Sequence, residues 1–478
     1  MENMKEGWAL RWTKREVLTE VWMQLTLSGP LIVGNVFQFC LQMISEMFVG
    51  HLGQLSLAGA AMAATFASIV GFSFLIGMGS ALDTLCGQAY GAKQYHMLSV
   101  HMQRSMIVLL LMSIPLAFIL AFTCNILAAM GQDREISKEA GIYARWMIPG
   151  LFAFALLQSF TRFMQAQSIV IPLMASSGVT TLCHLILCWF LVFKSGLGSK
   201  GAALATSISY WINVVLLALY IKISTACKET WTGLSMEALQ DLGHFLRIGI
   251  PSTVMACLET WSFDMIVILS GLLPNPKLET SVLSISLDIY ALAYMIPSGL
   301  SGAISTRISN ELGARQPQAA RLAARIATCM AFSNSVVTSS MTIIVRGLWG
   351  YLYTNDQQII KHVAKIMPLI AISIFMEGIQ CVLSGIARGC GWQKLGAVIN
   401  LGAYYVVGLP VAILLVFVFH EGGKGFWIGI ICGLVVQLVL LSIITLCSNW
   451  EEEARRANER VFSSEMPPVE MTNTSLNP

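Results

Sequence analysis

Two acidic residues of the chain stand where an acid is expensive. Glu259 is the eleventh residue of the mostly apolar stretch Gly249–Gly271, and Glu377 is the twelfth of Ile366–Ala387. A membrane-crossing helix needs about 20 residues at about 1.5 Å rise, so each stretch suits one span. Both acids then fall near the bilayer midplane, where an acidic residue costs about 2.5–3.5 kcal/mol on insertion scales. Residues tolerated at that cost face a bundle interior or a wet cavity and mark ion or substrate paths. The plainer alternative is a protonated carboxyl that satisfies a neighbouring helix. A buried carboxyl can hold either a proton or a cationic substrate, and competition between the two is the simplest physical basis of antiport.

Two further acids lie nearby in sequence. Asp288 occupies the next apolar segment, with Tyr290 and Tyr294 two and six residues beyond it. Asp264 follows Glu259 by five residues, about 140° around a helix, so it need not line the same cavity. The first half of the chain offers mostly neutral groups at depth: Asn35, Gln38, Gln158 and Gln165, with Glu46 and Asp83 nearer helix ends. This asymmetry assigns proton or cation handling to the second half. Trp261, Tyr290, Tyr294 and Tyr405, with Phe37, offer ring faces to flat cations, although plain packing is the commoner role of such residues in membrane helices. His184 lies in an apolar segment, where a hydrogen-bonded structural histidine is favoured over a proton carrier.

Other chemistry is poorly supported. No nucleophile–base cluster appears, so the chain does not read as an enzyme. The twelve cysteines show no metal or disulfide spacing. The stretch GFSFLIGMGSA has no preceding strand and no following Lys-Ser/Thr, so it is not a phosphate loop. A net charge of +3 is too small to argue for nucleic acid. The expectation is a carrier without cofactor or metal, with H+ as coupling ion and Na+ less favoured.

The elements that must position these residues follow from composition. The chain has 478 residues, 56% hydrophobic and 12% charged, against about 25% charged in soluble domains. Twelve apolar segments between residues 21 and 447 predict an all-α polytopic membrane protein with twelve transmembrane helices in two pseudo-symmetric six-helix lobes. Pro30, Pro251 and Pro297 fall inside segments, where a missing N–H bends a helix and provides a gating point. The expected organisation is an N-terminal arm (1–20), an N-lobe (21–224), a linker (225–243), a C-lobe (244–448) and a tail (449–478). The tail opens WEEEARRANER, an amphipathic surface helix, and its last dozen residues read as disordered. Lys and Arg are enriched in the arm, the even-numbered loops and the tail, which places both termini in the cytoplasm. On that topology the glycosylation acceptor Asn473-Thr474-Ser475 goes unused.

The halves repeat. Ser80-Ala-Leu-Asp-Thr ending Gly91-Ala92-Lys93-Gln94 matches Gly302-Ala-Ile-Ser-Thr ending Gly313-Ala314-Arg315-Gln316, an offset of 222. Pro30 answers Pro251, Pro149 answers Pro368, and Lys200-Gly201 answers Lys424-Gly425, at offsets of 221, 219 and 224. Six spans per repeat is even, so the halves insert in the same direction and are related by a pseudo-two-fold along the membrane normal.

The stretches Gly77–Tyr95, Cys257–Pro276, Ile308–Pro317 and Glu377–Ala412 resemble the multidrug and toxic compound extrusion (MATE) family, in particular its plant DETOXIFICATION branch. The resemblance covers about residues 18–450. It implies two six-helix lobes around a central cavity and proton-coupled export of organic cations, xenobiotics or secondary metabolites. The family's carboxylates on helices 7 and 10 map to Glu259 and Glu377. Its second acid on helix 7 is often Glu but is Asp264 here, and the acid near the end of helix 2 maps to Asp83. Some prokaryotic members use an Asp on helix 1, where this chain offers Asn35 and Gln38. The expected partners are a small organic substrate, protons and the bilayer, with the protein a monomer in the plasma or vacuolar membrane. An organic-anion carrier or channel, for citrate or malate, is the alternative. It would need Lys or Arg at depth, and Arg162 and Arg388 lie near helix ends.

Overall fold

The structure, a computed structural model, describes residues 12–270, 273, 276–352 and 356–463. The charged arm before residue 12, the tail from 464 and the Asn473 acceptor lie outside the described residues. Helices account for all the regular structure among the described residues, and no strand occurs. Among the described residues twelve helices are long. They are α1 (Lys14–Gly50), α2 (Gln54–Gly91), α3 (Tyr95–Ala121), α4 (Arg134–Ala166), α5 (Ile171–Lys194), α6 (Ser199–Ile223), α7 (Leu242–Ser270), α8 (Pro276–Gly313), α9 (Pro317–Ile344), α10 (Gln357–Cys390), α11 (Gln393–Val418) and α12 (Gly423–Cys447). Ten of them, α1–α6, α8 and α10–α12, have among the described residues a window apolar enough to cross a membrane by length and composition. In α9 the apolar run is diluted by Ser333, Asn334, Ser335, Thr338, Ser339 and Ser340. The outer face is apolar, with Leu182 and Ile186 each 68% exposed, as a lipid-facing surface requires.

Several helices outrun the apolar segments. The α1 helix begins seven residues earlier, because Thr13 and Glu16 form a capping box: each side chain accepts from the other residue's backbone N–H. Pro30, Pro251 and Pro297 lie inside α1, α7 and α8. The tail helix is present as α13 (Trp450–Ser463), capped by Asn449, whose side chain accepts from the Glu451 N–H. It buries Trp450, Ala454, Ala457 and Val461, one stripe at helical spacing.

The repeat is written into the backbone as well as the sequence. Lys93 (φ 61°) and Arg315 (φ 56°) take the same left-handed turn, and Gly198 and Gly422 both have φ 59°. The α5 helix ends in a π-helical stretch at Phe190–Lys194, and α11 does so at Leu414–Val418. The two matching motifs also touch reciprocally. A Cβ on Gly91 would collide with the Asn310 carbonyl, and one on Gly313 with the Gln88 carbonyl. At the repeat offset these are the same contact seen twice, as a two-fold axis between the motifs demands.

The halves differ inside. One continuous apolar cluster fills the first, drawn almost wholly from residues 27–248. The second has two: one from Ile266 to Leu434, the other from Leu300 to Ala457. Between them lies a polar layer. Glu377 falls between Ile374 of one cluster and Ile379 of the other, Gln437 between Leu434 and Leu441, and Asn400 between Tyr404 and Ile399.

Candidate proton and substrate site

Glu259 is half-buried on α7, and a set of amides gathers about it. The Asn400 amide of α11 donates to the Met255 carbonyl at 2.8 Å and reaches Glu259 Oε2 at 3.4 Å. Met255 is one turn before Glu259, so this amide spans the groove between them. Gln437 of α12 donates to Asn400 Oδ1 at 2.7 Å and orients it. Gln380 of α10 is a further neighbour of Glu259, and its amide donates to Ser384 Oγ at 3.0 Å. Asn400, Gln437 and Gln380 are fully buried. Directly after Asn400 the backbone of α11 widens to a π-helix over Leu401–Gly408.

Glu377 is buried on α10, within electrostatic reach of Glu259. Its carboxyl lies beside the Tyr290 hydroxyl, which is its side-chain hydrogen-bonding neighbour. Glu377 opens on a small crevice between α8, α9 and α10, lined by Tyr290, Tyr294, Pro297, Asn334, Thr338 and Gly378. Aromatic rings close one side: Phe263 lies 5.0 Å from Tyr290 and 6.3 Å from Tyr404, and Tyr290 lies 5.8 Å from Trp427. The arrangement is a titratable pair in an apolar frame, with neutral donors beside both acids. Such a pair can take up a proton or a cation in place of water.

The remaining candidates are distributed more widely. Asp264 is half-buried near Tyr405, and its Oδ2 is unpartnered, as is the Tyr405 hydroxyl. Asp288 has Glu46 of α1 as its charged neighbour across the halves. Asn35 donates to Ser298 Oγ at 2.9 Å, and the Trp261 indole N–H donates to the Ile69 carbonyl at 3.0 Å. Both bonds join the halves rather than contact the two glutamates. Gln38 is exposed. His184 bridges Ser45 (3.0 Å) and Ser209 (2.9 Å) in the first half's interior, as a structural histidine would.

The amide set about Glu259 escaped the sequence reading, although amides inside apolar spans carry a visible signal. A second omission is an ion cluster between the halves. Arg162 Nη1 of α4 lies 3.1 Å from Asp83 Oδ1 on α2, and Arg388 Nε of α10 lies 3.3 Å from Asp83 Oδ2. No spacing in one element could reveal it, because three helices contribute.

The fold agrees with known proteins. The MatE family model matches residues 30–190 and 251–414, one match in each half. The chain belongs to the MatE family. Among curated relatives, this MatE chain is 58% identical to Protein DETOXIFICATION 16 of Arabidopsis thaliana over 458 residues, 96% of this chain and 94% of the relative. It is 52% identical to Protein DETOXIFICATION 15 of the same plant, covering 94% and 92%. Its structure is similar to the crystal structure of the eukaryotic MATE transporter AtDTX14, with TM-score 0.91 and 46% identity over 93% of this chain and all of that one. A Vibrio cholerae MATE transporter, VcmN, shares the fold at TM-score 0.80 and 18% identity, covering 94% and 100%. The MatE protein is therefore an integral, multi-pass membrane efflux transporter of small molecules, not an enzyme. Transport in this family needs no cofactor. Among the described residues no group of three His, Cys, Asp or Glu could hold a metal ion.

Proposed function

We propose that the protein is a proton-coupled antiporter that exports organic cations, xenobiotics or secondary metabolites from the cytoplasm. Two lobes, 21–224 and 244–448, alternate access to a central cavity. The observation that carries this reading is the pairing of Glu259 with Glu377 in one lobe, close enough to feel each other, with neither in a salt bridge among the described residues. Two acids held together can share one proton or one cation more easily than they can both stay charged. Protons from an acidic apoplast or vacuole neutralise the pair and release the cation. The carrier then turns to the cytoplasm, loses its proton and reloads. Asp264 and Asp288 are secondary acids of the cycle. Tyr290, Tyr294, Tyr405 and Trp261, with Asn35 and Gln38, shape the cavity, and Pro30, Pro251 and Pro297 give the bends.

With cytoplasmic termini, the end at which α1 begins faces the cytoplasm. The monomer then works in the plasma or vacuolar membrane, with sodium as the less favoured coupling ion. An organic-anion route is less well supported, because Asp83 already engages Arg162 and Arg388. In proteoliposomes with an imposed pH gradient, a cationic substrate should drive proton movement, and replacing sodium at constant pH should leave it unchanged. Normal coupled transport by the Glu259→Gln, Glu377→Gln double variant would overturn the carboxylate mechanism.

A further inference from the structure

Contacts between the halves concentrate at the end where α1 starts and α2, α8 and α10 finish. Two buried ion clusters tie that end. In the first, Asp83 is only 2% exposed at its side chain yet faces two guanidinium groups, Arg162 from its own half and Arg388 from the other. Arg388 is held further, its Nη2 donating to Ser301 Oγ at 2.7 Å. The Arg388 carbonyl accepts from the Thr84 hydroxyl, and the Gln88 amide donates to the Gly389 carbonyl at 3.1 Å. In the second cluster, Glu20 of α1 pairs with Arg307 of α8 at 2.8 Å, and Arg307 also pairs with Glu311. The Gln24 amide donates both to Glu20 and to the Ala323 carbonyl of α9.

We infer that these two clusters are the gate at this end of the transporter, with Asp83 and Arg307 as the positioning residues that hold the halves shut. Each cluster is unbalanced. At ion-pair distance the first has two cations on one anion, with Glu259 a further acid within electrostatic reach of Arg388, and the second has two anions on one cation. Removing the lone central charge leaves two like charges facing each other across the seam. A buried ion pair broken on one side strands its partner without solvent, so the seam must open to admit water. Opening is thus opposed by ionic bonds that close again when water leaves, which is the behaviour of a gate. The inference rests on alternating access by a MatE transporter and is independent of which ion drives transport.

Backbone hydrogen exchange of the full chain in nanodiscs tests it, because exchange tracks opening region by region. Asp83→Asn should speed exchange in segments 80–95, 305–316 and 386–394 and slow it at the opposite end, in 46–56 and 419–424. Rocking requires that opposition of sign. Arg388→Gln should shift both ends in the same directions but less, since Arg162 still neutralises Asp83, and Arg388→Lys less again. Adding Arg388→Gln to Asp83→Asn removes one of the two repelling cations, so the double variant should return part of the way to the parent. Equal speeding at both ends would mark a merely structural staple and overturn the inference. So would no change, or a double variant displaced further than Asp83→Asn. If Asp83→Asn does not fold, the contrast between Arg388→Gln and Arg388→Lys decides: indistinguishable profiles overturn the gate.

Discussion

The two halves of the molecule share a frame and differ in charge. At the offset that carries Pro30 onto Pro251, Gln38 lands on Glu259. At the offset that carries Pro149 onto Pro368, Gln158 lands on Glu377. At each position one half has an amide and the other a carboxyl of nearly the same shape. The first half keeps one continuous apolar core, whereas the second is cut by the layer that holds Glu377, Asn400 and Gln437. A chain can therefore carry the same helices with either an amide or a carboxyl at these two positions. The polar layer is not a requirement of the fold, since the first half repeats the helices without it.

The largest expected effect comes from erasing the difference. Glu259→Gln with Glu377→Gln makes the second half like the first, and substrate-driven proton flux in proteoliposomes should fall to background. Adding Gln38→Glu and Gln158→Glu to that double variant should not restore it, because the first half lacks the Asn400–Gln437 set that receives a carboxylate. Next come substitutions at the shared contact. Gly91→Ala and Gly313→Ala each drive a methyl group into a backbone carbonyl of the other half, and overpacking of this kind costs about 3 kcal/mol at the upper end. Thermal unfolding in detergent should show nearly equal losses, since the two contacts are one contact repeated. A large inequality would mean that the axis is not where the motifs place it.

A smaller loss is expected for Asn400→Leu. It strands the Gln437 amide donor, and a buried unsatisfied donor costs about 1–3 kcal/mol. The melting temperature should drop, and coupling should weaken with it because Glu259 loses its orienting amide. The same measurement on Gln38→Ala should change stability by no more than about 0.5 kcal/mol, as expected of an exposed side chain with no buried partner to strand. Together the last two sharpen the contrast between amides that serve a carboxylate and amides that do not.

The parts of this molecule that the sequence exposes are those with a local price. Glu259 and Glu377 stand out because an acid in an apolar run is costly wherever the run packs. The spans, the repeat and the α13 helix are legible for the same reason: periodicity and spacing lie within one element. Trp261 marks the limit. Its ring fits a cavity lining by type, but its N–H finds the Ile69 carbonyl of the other half. The partner is freed by the π-helical stretch Ser68–Phe72, which no propensity announces. Asp83, Arg162 and Arg388 are likewise ordinary near-terminal charges in sequence. Only the approach of α2, α4 and α10 makes them one cluster. At Ser305, the repeat counterpart of Asp83, the hydroxyl is buried and unpartnered, so the cluster has no twin to betray it.

The paired backbone irregularities carry a historical consequence. Left-handed turns at Lys93 and Arg315, glycines of equal φ at Gly198 and Gly422, and π-helical endings of α5 and α11 recur in both halves, while the acids at Glu259 and Glu377 do not. Features common to two copies are inherited from the single unit that was duplicated, and features held by one copy diverged afterwards. A six-helix ancestor thus already possessed the kinks and turns, and its descendants specialised by exchanging amide for acid. The frame is older than the division of labour built on it.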